Sequence, residues 1–149
     1  MAVGPTTNVT PRTVLLKGRG VRDERVAQAA ILPGQLLLLR SDGQFQVHNA
    51  AGAFAPATFA LENELFGLGV DDTYNANDLV QAEMCGPPQW VLARLPASAS
   101  AVNIGDLLQS NGDGNLTKVS GTNTPIAQAL DAVNNSAGAT TAFIRVRIV

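Results

Sequence analysis

The sequence predicts a mainly β domain, a small barrel or sandwich that carries an internal hairpin repeat and is preceded by an extended N-terminal arm. Three observations predict it. Glycines and prolines are spread along all 149 residues and are not pooled in one linker, which is the punctuation of many short strands and turns. Two segments repeat the same pattern of glycine, paired leucines and a polar–glycine corner. The last eight residues, "AFIRVRIV", alternate cleanly: Ile144, Val146 and Ile148 on one face, Arg145 and Arg147 on the other. Such a strand has one face in a core and the other in water or against a partner.

The elements follow in order. "TVLLK" (13–17) is short, β-branched and apolar. "VRDERVAQAAIL" (21–32) admits a helical turn or two but reads better as extended chain. "QLLLLR" and "QFQVH" flank the Asp42-Gly43 corner, and "DLLQS" and "NLTKV" flank Asn111 to Asn115. "DLVQAEM" and "QWVLARL" flank Gly86-Pro87-Pro88, read as another turn. "TPIAQALDAVNN" (124–135) has helical spacing with Thr124 as cap and Pro125 at the first position. Its counterpart "APATFALEN" favours an extended chain, so both are assigned as strand.

The repeat sets residues 33–61 against 104–130. Gly34 matches Gly105, Leu36 and Leu37 match Leu107 and Leu108, Ser41 matches Ser110, and Gly43 matches Gly114. A looser copy over 74–95 places Asn77 where the others have glycine, and Asn is the residue that best replaces Gly where φ must be positive. The repeat also bears on the stretch Asn111-Gly112-Asp113-Gly114-Asn115, whose alternating oxygens look like a calcium loop. An EF-hand loop needs Gly at its sixth position and Glu at its twelfth, where this chain has Leu116 and Thr122. The first copy has "RSDGQF" in the same place. The stretch reads as a hairpin corner supplying positive φ, and no metal or cofactor is expected.

Charge is asymmetric. Residues 1–40 hold Arg12, Lys17, Arg19, Arg22, Arg25 and Arg40 against Asp23 and Glu24, whereas the remainder holds four basic and ten acidic residues. A basic front on an acidic body suits an acidic partner. Nucleic acid is not expected, because no aromatic side chains are interleaved with the cations and the domain is acidic overall. No apolar run reaches the ~20 residues of a membrane span, and "MAVGPTTNVTPRTVLL" lacks the cationic start and apolar core of a secretory signal. A soluble chain made in a reducing cytoplasm, without a membrane partner, is expected.

No catalytic group stands out. Cys85 is the only cysteine, so no internal disulfide forms, and it reads as a partly buried small hydrophobe. His48 follows an alternating strand and precedes a loop, which suits a surface or capping role. Asp71-Asp72 and Glu62/Glu64 sit among loop residues, without the pocket that drives paired carboxylates apart in pKa. "KGRG" (17–20) lacks the spacing and following helix of a phosphate cradle. Trp90 reads as a core or interface anchor. What remains is binding through surfaces.

"IGDLLQSNGDGNL…PIAQALDAVNNSAGATTAFIRVRIV", preceded by "YNANDLVQAEMCGPPQWVLARL" and "AILPGQLLLL…DGQF", resembles the head decoration (cement) proteins of tailed bacteriophages, from about Ala30 to Val149. Asn77 stands where that pattern has Gly, and Gly86-Pro87-Pro88-Gln89 where it has a Pro-Gly-acid turn. The resemblance implies a non-enzymatic virion protein on the outer surface of an icosahedral capsid, typically trimeric, with a β-tulip-like fold and the major capsid protein as partner. It implies an N-terminal arm, over 1–30 in this sequence, that reaches onto neighbouring capsid subunits ahead of a decoration domain over 31–149; Arg12, Val14, Leu15, Lys17 and Arg19, which precede the resembling stretch, are the candidates for its capsid contacts. Trp90, Arg145 and Arg147 are the candidates for an oligomer or capsid interface. The competing expectation is a β-barrel module for a carbohydrate or host surface, with Tyr74, Trp90 and Phe54 as the aromatic candidates.

Overall fold

The computed structural model describes residues 12–149. Its strands are β1 (Leu15–Lys17), β2 (Val21–Val26), β3 (Leu37–Leu39), β4 (Phe45–Val47), β5 (Thr58–Ala60), β6 (Leu79–Met84), β7 (Trp90–Leu95), β8 (Leu107–Ser110), β9 (Leu116–Lys118), β10 (Ala127–Ala129) and β11 (Ala142–Ile148). A 3-10 turn over Glu64–Phe66 is the one helical element among the described residues. All strand pairs are antiparallel. They form a six-stranded sheet in the order β1-β7-β11-β10-β8-β9, a three-stranded sheet β2-β6-β5 and the hairpin β3-β4. The mainly β, sandwich-like architecture is as the sequence predicts.

Two cores lie between these layers. The larger joins Val91, Ala93 and Leu95 of β7, Ile144, Val146 and Ile148 of β11, and Leu36, Phe59 and Leu61. The smaller gathers Ala27, Ile31, Leu37, Phe45, Ala60, Tyr74, Val80 and Ala82. Neighbours Phe59 and Ala60 point into different cores, because successive strand residues face opposite ways. The three-stranded sheet is therefore covered on both faces. Bridges Leu36–Phe59 and Ala27–Phe45 tie the β3-β4 hairpin to that sheet at both ends, without closing a barrel.

The repeat holds down to individual hydrogen bonds. Arg40 N–H donates to Gln44 O, and Asn111 N–H to Asn115 O, each at 2.9 Å. Asp42 and Asp113 accept from the N–H two residues on, at 3.1 and 3.0 Å. Gly43 and Gly114 both have φ of +84°. The Asn111–Asn115 stretch is thus the corner joining β8 to β9. One turn earlier, Gly34, Asn77 and Gly105 have φ of +85°, +73° and +90°, so the third copy keeps the backbone while changing the residue. The polar residue after each has a definite task. Gln35, Asp78 and Asp106 accept from the N–H groups of Leu32, Asn75 and Asn103 at 2.8, 2.7 and 2.8 Å.

Two expectations differ from the structure. Gly86-Pro87-Pro88 does not close a hairpin: β6 pairs with β2 and β5, whereas β7 pairs with β1 and β11, so this turn carries the chain from one sheet to the other. The described part of the expected arm is likewise woven into the body. β1 pairs with β7, β2 pairs with β6 over six residues, and Val14 is fully buried in the larger core. The reason is local, since "TVLL" is as apolar as any core strand. Residues 1–11 of the expected arm lie outside the described residues.

Two outcomes follow for stability. A Cβ on Gly105 meets nothing within 4 Å, whereas one on Gly34 lies 2.9 Å from the Leu92 carbonyl. Gly105→Ala should lose about 1–2 kcal/mol for its left-handed backbone, and Gly34→Ala about 1–3 kcal/mol more for the collision; equal urea midpoints would contradict this. Deleting residues 1–20 removes Val14 and β1 together, so the unfolding midpoint should fall well below that of a chain lacking only residues 1–11.

Candidate functional site

The basic residues divide sharply. Arg22, Arg25, Arg40, Arg94, Lys118 and Arg145 each meet a carboxylate at 2.5–3.6 Å. Among the described residues Arg12, Lys17, Arg19 and Arg147 have no such partner, and all four are exposed. Lys17, Trp90, Arg147 and Gln128 occupy successive strands in one cross-strand row, through the registers Lys17–Trp90, Trp90–Arg147 and Arg147–Gln128. Lys17 Nζ stands 4.0 Å from the centre of the Trp90 ring, a cation–π contact of about 0.5–1 kcal/mol at an exposed site. Arg147 donates to Gln128 Oε1. A surface concavity of about 370 Å³ adjoins the row, with Lys17, Gly18 and Arg19 on one side, Gly86 to Gln89 on the other, and Trp90.

What holds the row in place is a carboxylate that sequence reasoning passed over. Glu83 is buried. It accepts from Gly20 N–H at 2.9 Å and from the Gln89 amide, and it faces Arg22 Nε at 3.6 Å. Gly20 has no alternative, since a Cβ there would lie 1.9 Å from the Met84 carbonyl. The glycines of "KGRG" therefore lay the chain flat across β6 and the 86–89 turn. A second buried charge, Arg94, joins three loops to β7: its guanidinium donates to Pro33 O and Val70 O at 2.7 Å and to Thr141 Oγ1 at 2.8 Å, and it lies 4.2 Å from the Phe143 ring. Burial lowers its pKa, countered by Asp71.

The expected site residues fall into two groups. Lys17, Arg19, Trp90 and Arg147 come together on one face. Val14 and Leu15 do not present a surface: Val14, just before β1, is in the core and Leu15 packs against it, and a register shift between Leu15 and Lys17 separates them from the outward-facing Lys17. Arg145 is exposed on the same face of β11, yet its guanidinium is engaged by Asp131 at 2.5 Å, which holds that carboxyl below its ordinary pKa. Arg12 is exposed at the start of the described chain.

The other singled-out groups are structural. Cys85 is buried, and burial pushes its thiol up to about 12, with Glu83 adding to the shift. Tyr74 is buried with its hydroxyl donating to Leu61 O at 2.7 Å, so it offers no ring to a sugar; Phe54 is exposed. Glu62 accepts from Thr13 Oγ1 and Val14 N–H at 2.7 and 2.9 Å, and Asp72 accepts from Gly69 N–H. A separate apolar groove of about 410 Å³ opens between the three-stranded sheet and the β3-β4 hairpin, lined by Val21, Leu39, Phe45 and Met84. No helix of the described residues is long and apolar enough to cross a membrane.

His48 is the other difference from expectation. It is buried, with Nδ1 at 2.6 Å from Ser110 Oγ, linking the two repeat copies. Burial lowers its pKa.

No protein-family model matches the sequence, and no curated protein matches it. Among solved structures the chain is similar to the crystal structure of the head fiber gp8.5 N base of bacteriophage phi29. The TM-score is 0.56 at 15% sequence identity, over 87% of this chain and 93% of that one. At this identity the likeness is one of fold.

The pH dependence of stability follows from His48. Its folded pKa lies below the unfolded value of about 6.5, so the unfolded chain binds more protons as pH falls, and stability declines from about pH 7 towards pH 5. The lowered carboxylates Asp42, Asp106 and Asp131 add their losses only below about pH 5, as the unfolded carboxylates begin to protonate. Urea midpoints should fall between about pH 7 and pH 5 in the native chain and stay level in His48→Gln; a slope unchanged by the substitution would assign the effect elsewhere.

Proposed function

We propose that the chain is a structural protein of a tailed-bacteriophage virion, seated on the outer surface of the head, where it cements neighbouring capsomers and stabilises the DNA-filled shell. The observation that carries this reading is the fold likeness to the N base of a phage head fiber, which spans nearly the whole of both chains. The resemblance of "IGDLLQSNGDGNL" and "TTAFIRVRIV" to head decoration proteins points the same way. On this reading the partners are the major capsid protein and further copies of the chain in a homotrimer.

The reading is also one without chemistry. The reactive side chains inside the fold serve to hold it or are silenced: Glu83 fixes the β1–β2 connection, Arg94 gathers three loops, and the Cys85 thiol is buried and held protonated. The mechanism is mechanical. Packed DNA presses outward, and the contacts between capsomers separate first. A subunit that spans two capsomers makes their separation require breaking its own interfaces as well. A standard interface buries ~1,600 Å², and attachment at several points raises the effective concentration of each remaining contact once one has opened.

Purified heads lacking the chain supply the test. Adding the protein back should raise the temperature at which the heads release DNA by several degrees, with the protein sedimenting alongside them. Release at the same temperature with and without it would contradict the stabilising role.

A further inference from the structure

The charge on this molecule is distributed in a way its fold does not require. Ten of its residues are basic; six of them close the ion pairs described above, and of the four without a carboxylate partner among the described residues, Arg12 stands alone at the start of the described chain. The other three collect at one end of the six-stranded sheet: Lys17 and Arg147 in one row, Arg19 beside them on the rim of the concavity. Unpaired like charges held close repel one another, which costs stability unless a partner supplies the opposite charge.

We propose that this face is a docking surface for an extended, carboxylate-bearing segment of a partner protein. The inference rests on the virion reading for which protein carries that segment, and on the residues alone for its chemistry. Two features, the occupied aromatic ring and the short reach of the face, select carboxylates on a polypeptide over a polyanionic nucleic acid. The one aromatic ring in the row is already stacked by Lys17 Nζ at 4.0 Å, so Trp90 offers no free platform for a base. Arg19 and Arg147 present forked donors that can hold a carboxylate, as they would a phosphate, two bonds at a time, while Lys17 acts as a point charge; these set the sign of the partner and not its class. The cationic face is also short. Lys17 and Arg147 are two strands apart, about 9–10 Å at the backbone, the reach of about three residues of extended chain. A segment crossing the strands in the polyproline II conformation, with three residues per turn, brings acids three residues apart onto one side about 9 Å from each other and meets both.

Trp90 is the only tryptophan of the chain, so its fluorescence reads docking at this face directly. The probe is a synthetic peptide of about ten residues with Glu at every third position, compared with its Gln counterpart, inorganic polyphosphate and a single-stranded oligonucleotide. The Glu peptide should shift Trp90 emission saturably and weaken on the order of tenfold between about 50 and 300 mM salt. The Gln peptide should leave it unchanged. The triple variant Lys17→Glu, Arg19→Glu, Arg147→Glu should lose binding to the peptide and to heads. The control Arg40→Glu, away from the row, should keep both.

No response to the Glu peptide, or tighter binding of polyphosphate or oligonucleotide, would overturn the proposal. Heads that bind the triple variant as well as the native chain would also overturn it and leave the virion reading standing. Peptide binding without any binding to heads would support the surface and count against the virion reading. Circular dichroism of the triple variant separates lost binding from lost fold.

Discussion

A carboxylate buried in a β-sheet has to be answered on every side, and Glu83 is answered by the chain segment that leads into the body. Removing one partner of a buried charge leaves it uncompensated, at about 3–5 kcal/mol. That is several times the contact between Lys17 and Trp90. Gly20 N–H, the Gln89 amide and Arg22 therefore have to stay where they are. With Gly20 pressed against the Met84 carbonyl, the link between β1 and β2 has one path across the surface. That path turns Lys17 and Arg19 outward beside Trp90. The geometry of the exposed face is thus set from beneath by a group that never reaches it.

The same division of labour runs through the molecule. Arg94 and the His48–Ser110 contact lie inside and join segments distant in sequence, as Glu83 does. Around them, five cations outside the core close ion pairs, some within a few residues, as Arg25 does with Asp23 and Arg40 with Asp42. Such pairs add little stability, typically below about 1 kcal/mol, but they neutralise the surface they cover. The face built from β1, β7 and β11 is where cations are left without a carboxylate. A rigid scaffold with one unsatisfied face is suited to gripping, and a chain that grips several neighbours at once reinforces them without moving or reacting.

The sequence disclosed whatever repeats or alternates. The two corners at Gly43 and Gly114 share their hydrogen bonds, Asn77 takes the backbone of the glycines it replaces, and "AFIRVRIV" buries and exposes the residues its alternation assigns. It did not disclose which strands are neighbours. Alternation tells which side of a strand is apolar but not what lies against the other side. "DLVQAEM" and "QWVLARL" therefore looked like one hairpin when they belong to different sheets. Glu83 and Arg94 were missed for that reason, since each sits where a solvent-facing residue belongs if the sheet has an open face. Their covers, residues 18–20 and the loops at 33 and 70, arrive from far along the chain. The apolar "TVLL" was a signal within reach: a segment so rich in core residues belongs to the body.

The account rests on this chain occupying the exterior of the head with its cationic face turned towards the shell. A cryo-EM reconstruction of native heads tests it most directly. The account predicts density for this fold on the outer surface, with β1, β7 and β11 against acidic side chains of the lattice. An exterior without that density, or a chain attached through the opposite end of its sheets with Lys17 and Arg147 facing solvent, would contradict it.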